Sequence, residues 1–264
     1  MDYQKITEEV CAVAREAGAY LKNEQQKLRE EQIVQKHSHD YVSYVDKESE
    51  RLIVSRLKEI LPDAGFITEE GTASRQDEPI SWVIDPLDGT TNYIHGYHSY
   101  AVCIGLRDSK EALLGVVYDV CLNECYYAWK GGGAWLNGKE IHTNPHHDIT
   151  QALLGIELPY DADGYRPTGL HLISHFYGLC GGIRMNGSAA LAICNVASGR
   201  FDGWLEKGLG LWDHTAASVV LLEAGGTITR FDGHPDYLDY GDIIVSNGTI
   251  HQALVDEISI ISQS

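Results

Sequence analysis

Apolar positions recur at helical spacing from the start of the chain. Ile6, Val10, Val13, Ala14, Ala17 and Leu21 share one face and predict an opening amphipathic helix. Leu52, Ile53, Leu57 and Ile60 predict a second helix that follows Asp46 and stops near Pro62. The texture then changes. Trp82–Asp85, Tyr100–Leu106, Leu113–Val120 and Glu124–Trp129 are strand-like runs joined by short polar or glycine-bearing turns, which implies a largely antiparallel sheet. Beyond residue 145 the two periods alternate: Ala189–Ser198 and His214–Ala224 read as helices, Thr227–Arg230 and Ile243–Ser246 as strands. The pattern predicts an α+β protein of layered helices and sheets. With no repeat and no long Pro/Gly/Ser linker, it reads as one unit in two halves, roughly 1–145 and 146–264.

Composition narrows the class without naming it. A chain of 264 residues with 44% hydrophobic and 22% charged residues can bury a large core. Its formal charge of −18, from 38 acidic and 20 basic residues, opposes broad attraction to nucleic acid or anionic lipid. A phosphate-bearing partner would need local help from cations. The first ten residues lack the basic and apolar regions of a secretory signal, and no apolar run is long enough to cross a bilayer, so the expectation is a cytoplasmic protein without a membrane partner. The six cysteines show no C-x-x-C pair and are expected as thiols.

Four separated acidic segments carry the chemistry. In WVIDPLDGTTNY (82–93), the apolar Trp82–Ile84 ends at Asp85, and Pro86 is expected to stop the strand's ladder and present Asp85 and Asp88 on a tight turn. Gly89 permits close backbone approach, and Thr90–Thr91 can open a short helix whose amides face an anion. Glu69–Glu70 follows apolar Gly65–Ile67, Asp213 adjoins a helical pattern, Glu206 lies seven residues earlier, and Asp46 precedes the second helix. Singly, each has an ordinary explanation as turn, N-cap or solvated charge. Together they suit hard cations shared by carboxylate oxygens, the arrangement that metal-assisted phosphoryl transfer requires.

WVIDPLDGTTNY, the upstream Glu69–Glu70 and the downstream LWDHTAASVVLLEAGG (211–226) resemble, in order and spacing, the signature segments of the inositol monophosphatase family. The resemblance runs from the first helix to about Asn247. It implies a layered α/β/α/β/α sandwich with a metal-binding first half and a substrate-covering second half. It further implies Mg²⁺ as cofactor, two to three ions per site, with Mn²⁺ as a substitute. By matching position, Glu69, Asp85 and the Leu87 carbonyl would bind one ion, Asp85, Asp88 and Asp213 the second, and a third, weaker ion would lean on Glu69. Thr90, hydrogen-bonded to Asp46, would orient the attacking water, with no covalent phosphoenzyme, while the amides of Gly89 and Thr90, beside Thr91, would receive the phosphate. MNGSAA (185–190) looks like the family's substrate loop, bringing Gly187, Ser188 and Ala189 to the ligand with Arg184 just before it, and Glu206 would receive substrate hydroxyls. A small phosphorylated polyol or sugar as partner, lithium inhibition and a homodimer are implied in the same way.

Two positions depart from the family pattern. Thr68 stands where glycine is usual, and His214 follows Asp213 where a small or aliphatic residue is common, so His214 could titrate beside a cation. His171 and His175 lack the further ligands of a zinc site, His146–His147 suggests no site, and Lys130–Gly133 reads as a hairpin turn. Thr91–Asn92 looks like the inositol monophosphatase pattern, where the branch acting on adenosine bisphosphates typically has Lys-Glu, so the resemblance implies inositol monophosphate over adenosine bisphosphates. Fructose 1,6-bisphosphate and histidinol phosphate remain alternatives, to be decided by the stretch Leu158–Cys180. A regulatory protein-binding module is the alternative of another class.

Overall fold

The opening periodicity becomes α1 (Tyr3–Gln25), which buries Val10, Val13, Ala14, Ala17 and Leu21 and starts where the Asp2 carboxylate accepts the Lys5 amide at 3.1 Å. The computed structural model describes residues 1–37, 40–73, 78–159 and 162–262. Strands β1 (Ile33–His37) and β2 (Asp40–Ser43) pair antiparallel. Next, α2 (Tyr44–Ile60) starts in a capping box: Ser43 Oγ accepts the Val45 amide at 3.1 Å, and the Asp46 carboxylate returns to the Ser43 amide at 2.9 Å. Asp46 therefore sits inside the first turn of the helix, where the sequence reading had it just before.

Seven strands form the first sheet in chain order: β3 (Gly65–Thr68), β4 (Ile80–Asp88), β5 (Ala101–Asp108), β6 (Ala112–Asp119), β7 (Glu124–Trp129), β8 (Ala134–Leu136) and β9 (Lys139–Ile141). Only β3 and β4 pair in parallel, so the expected antiparallel character holds. Lys130–Gly133 does turn the chain between β7 and β8. The short helix α3 (Thr90–Ile94) leaves the end of β4.

The remaining elements are β10 (Leu153–Ile156), α4 (Ala162–Phe176), β11 (Gly182–Arg184), α5 (Ala189–Ala197), β12 (Gly203–Glu206), α6 (Leu211–Glu223), β13 (Thr227–Arg230), β14 (Ile243–Ser246) and α7 (His251–Ser262). The second sheet has the order β11-β10-β12-β14-β13, with β10 parallel to both of its neighbours and the other two pairs antiparallel.

Three apolar clusters fix the layers. One packs α1 and α2 on the outer face of the first sheet, and another packs α4 and α7 on the outer face of the second. The third fills the middle, where α5 and α6 touch both sheets. The result is the expected α/β/α/β/α sandwich. The middle cluster joins Cys103, Val117 and Tyr126 to Ala190, Ile193, Val220 and Ile228, so the two sequence halves share one core. Small residues permit the close fit: a Cβ on Gly115 of β6 would lie 2.0 Å from the Ala216 carbonyl oxygen of α6.

Candidate active site

The acids of the WVIDPLD segment are delivered by a longer strand than the sequence suggested. Pro86 does not end the ladder: β4 continues to Asp88, with Asp85 opposite Cys103 and Asp88 opposite Ala101 on β5. One extra residue on β4 makes a bulge, and proline is tolerated there because its missing N–H falls where pairing is already interrupted. In a regular strand residues three apart face opposite ways; the inserted residue turns both carboxylates to the same side. Asp213 arrives from α6, three residues after Gly210, whose amide donates to Asp213 Oδ2 at 2.6 Å. It is thus inside the helix's first turn, and the helix begins at Leu211, earlier than its apolar pattern implied. Oxygens of Asp85, Asp88 and Asp213 lie within 4.8 Å of one another. Among the described residues this is the one cluster of three such side chains able to share an ion.

The cluster is electrostatically demanding. Burial pushes the Asp85 carboxyl well above the usual range, and the nearby Glu69, Asp88 and Asp213 push it further; the Leu87 amide, donating to Asp85 Oδ1 at 2.9 Å, opposes this. Burial lifts Asp88 to about 6 despite hydrogen bonds from Ser188 Oγ and, at 3.0 Å, the Ala190 amide. Those donors belong to the start of α5, so Asp88 rests on a helix N-terminus. An all-oxygen, mutually repelling set, with Asp85 and Asp88 buried and Asp213 half-buried, suits a hard divalent cation such as Mg²⁺, Mn²⁺ or Ca²⁺, and it contains no imidazole or thiolate.

Helix α2 supports this cluster from behind with three polar residues on one face. Ser49 Oγ donates to the Pro86 carbonyl at 3.3 Å. Glu50, fully buried, accepts the Glu70 amide at 2.8 Å, the Thr72 amide at 2.8 Å and Thr72 Oγ1 at 2.6 Å, and so pins the loop that carries Glu69. Asp46, buried behind Thr90, uses Oδ2 for its cap and offers Oδ1 to Thr90 Oγ1 at 3.3 Å. Thr90 Oγ1 also lies 2.9 Å from the Leu87 carbonyl oxygen. Gly89, at φ +87°, lets the chain turn into α3; a Cβ there would lie 2.8 Å from the Ser99 carbonyl oxygen.

A cleft of about 830 Å³ opens over these groups. Glu69, Asp85, Leu87, Asp88, Gly89, Thr90, Thr91 and Asp213 line it on one side, and Gly187, Ser188, Ala189 and Glu206 on the other. Arg184 is not among the lining residues: it is exposed at the end of β11, its guanidinium donating to the Ile183 carbonyl at 2.9 Å. His214 is not among the residues that line the cleft. Its ring is buried 6.1 Å from that of Tyr237, and burial lowers its pKa to about 4, so it is neutral at physiological pH.

Sequence reasoning missed Glu50, Asn92, Glu157 and Lys207. Asn92 Nδ2 donates to the carbonyls of Ser99 and Asn186, each at 2.8 Å, tying α3 to the substrate-side loop. Glu157 ends the apolar β10 as Asp85 ends Trp82–Ile84, a signal that could have found it. Lys207 also lines the cleft, with its ammonium 3.6 Å from Asp242 and 4.8 Å over the Phe231 ring. Part of the undecoded Leu158–Cys180 stretch faces the cleft through Leu158, Pro159 and Tyr165, while its residues 160 and 161 lie outside the described set.

Comparison with known proteins agrees with the geometry. Over 246 residues the chain is 36% identical to the Nus factor SuhB of Vibrio cholerae, covering 93% of this chain and 92% of that one. It is 34% identical to the inositol-1-monophosphatase of Mesorhizobium japonicum over 92% of this chain and 91% of the relative. The solved inositol monophosphatase of Anabaena superposes with a TM-score of 0.89 at 32% identity, covering 98% of this chain and 97% of that structure. Residues 2–263 match the inositol monophosphatase family as a whole, and with the fold and the acidic cleft in agreement, the chain belongs to that family.

Proposed function

We propose that the protein is a magnesium-dependent phosphatase of small phosphate monoesters, with inositol monophosphate as substrate, acting as one catalytic unit over residues 1–264. The observation that carries this reading is the meeting of Asp85, Asp88 and Asp213 within 4.8 Å in the cleft. These three, with Glu69 and the Leu87 carbonyl, would hold two to three Mg²⁺ ions. When bound, such ions supply Lewis acidity, a water acidified toward neutrality and charge for the leaving oxygen. The chain's own groups do the positioning. Thr90 has one hydroxyl proton, donated to Asp46 or to the Leu87 carbonyl, so its lone pairs are left to accept a hydrogen bond from the attacking water. When Thr90 donates to Asp46 Oδ1, the water's proton can pass to Thr90 Oγ1 as Thr90's own proton passes to Asp46. The amides of Gly89 and Thr90, beside Thr91, receive the phosphate, and Gly187, Ser188, Ala189 and Glu206 face the polyol. Ser188 is engaged with Asp88, and burial keeps the Cys103 thiol protonated, so water is the nucleophile in this reading.

Phosphate release from inositol 1-phosphate, with Mg²⁺ titrated in and then chelated, tests the proposal. Absence of Mg²⁺-dependent release from this substrate, fructose 1,6-bisphosphate and histidinol phosphate alike would overturn it. A second reading, as a partner of a larger protein assembly, is favoured by the name Nus factor SuhB on relatives at 36% identity. It predicts that a variant without Mg²⁺-dependent turnover keeps its cellular role.

A further inference from the structure

Glu157 stands at the end of β10, one register step beyond the pair Ile156–Leu205, so it is neighbour to Glu206 at the end of the parallel strand β12. Its amide donates to the Leu205 carbonyl at 3.1 Å, which fixes its backbone against that strand. The side chain lines the cleft and is 8% exposed. Its two oxygens are used unequally. Oε1 accepts the amides of Asn186 and, at 3.1 Å, Gly187. Oε2 makes no hydrogen bond among the described residues.

The dipeptide 186–187 is therefore held from both sides, its amides by Glu157 and its carbonyls by Asn92 Nδ2 at 2.8 and 3.3 Å. That grip orients Glu157, which lines the cleft, and uses only Oε1 of its carboxylate. Among the described residues no cation pairs with it: Lys207, which also lines the cleft, is engaged with Asp242 and the Phe231 ring, neither of which lines it. Burial holds the Glu157 carboxyl up at about 7, so its ionised form gains from any donor that a ligand brings. A carboxylate without a cation, in a cleft wall that already carries Glu206, selects a ligand by its hydrogen-bond donors.

Resting on the phosphatase reading above, we propose that Glu157 is a specificity-determining residue: Oε2 accepts a hydroxyl of the leaving alcohol, which makes polyhydroxylated phosphate monoesters the preferred substrate class. Glu157→Gln tests it. The amide oxygen can still accept from Asn186 and Gly187, while an amide NH₂ replaces the charged acceptor in the cleft. The kcat/KM ratio of inositol 1-phosphate to cyclohexyl phosphate, which has the ring but no hydroxyls, should fall about tenfold in the variant, the difference between a charge-assisted and a neutral hydrogen bond. Equal losses on both substrates, or an unchanged ratio, would overturn the assignment.

The same question can be put to the wild-type enzyme with monodeoxyinositol monophosphates, should the variant fold poorly. One of these analogues should lose about tenfold against the parent, and that loss should shrink in Glu157→Gln. Equal kcat/KM for the parent and every analogue in wild type would also overturn it. A wild-type enzyme that hydrolyses none of these monoesters with Mg²⁺ would instead remove the phosphatase reading itself.

Discussion

Replacing Asp88 by Asn separates two effects that the structure places on one side chain. In the ion-free protein Asp88 is an expensive carboxylate: burial holds its pKa near 6, against 3.8 for the free group. Keeping it ionised at neutral pH then costs about 3 kcal/mol, and that stability is lost as pH rises from about 4 to 6, because the folded state holds the proton longer than the unfolded one. Asn keeps the volume and can still accept from Ser188 and Ala190, although those bonds weaken once the charge is gone. If half of the penalty is recovered, metal-free Asp88→Asn should melt a few degrees above wild type for a chain of this size. In excess Mg²⁺ the order should reverse, since only wild type keeps the full carboxylate set to hold the ion. Turnover should fall by at least about a hundredfold. Differential scanning fluorimetry with chelator and with Mg²⁺, beside phosphate release over a Mg²⁺ titration, reads all three quantities. Equal Mg²⁺-induced shifts in the two proteins, or a wild-type rate at limiting Mg²⁺, would refute the assignment.

Glu50→Ala strips the partners from two amides and a hydroxyl in the Glu69 loop; a loss of about 2–4 kcal/mol by urea denaturation, with weaker Mg²⁺ activation, is expected. His214, held near 4 by burial against 6.5 in the unfolded chain, makes the protein lose stability as pH falls from about 6.5 to 4. His214→Leu should remove up to about 3 kcal/mol of that loss, read as the difference between the two acid denaturation curves. Lithium should inhibit turnover by competing at the second cation position; a titration without effect would detach that family trait from this chain. The expected homodimer should appear at twice 29.2 kDa in sedimentation equilibrium.

What the sequence disclosed depended on whether a signal was local. Asp85, Asp88 and Thr90 sit in one short segment whose residue types are individually constrained, and Asp213 adjoins a strong helical period, so their types and spacing were readable. Pro86 misled because proline's rule applies to a regular ladder, and the bulge that accommodates it depends on β5. Glu50 was hidden: within DKESERL its charge resembles that of Glu48, and only the fold shows that one is buried and the other is not. Asn92 and Glu157 act through residues about 94 and 30 positions away, which no window reveals. The helix α7 was overlooked although Leu254, Ile258 and Ile261 are spaced to bury one face.

The shared middle core has a thermodynamic consequence. An ion gripped by Asp85 and Asp88 on one side and Asp213 on the other would act as a reversible cross-link between distant parts of the chain, closing a long loop over a core to which both sequence halves contribute. A hundredfold excess of free ion over its dissociation constant favours the native state by about 2.7 kcal/mol. Magnesium depletion would then lower the melting point of the entire sandwich in a single cooperative transition, making cation supply a determinant of the protein's lifetime as well as of its turnover.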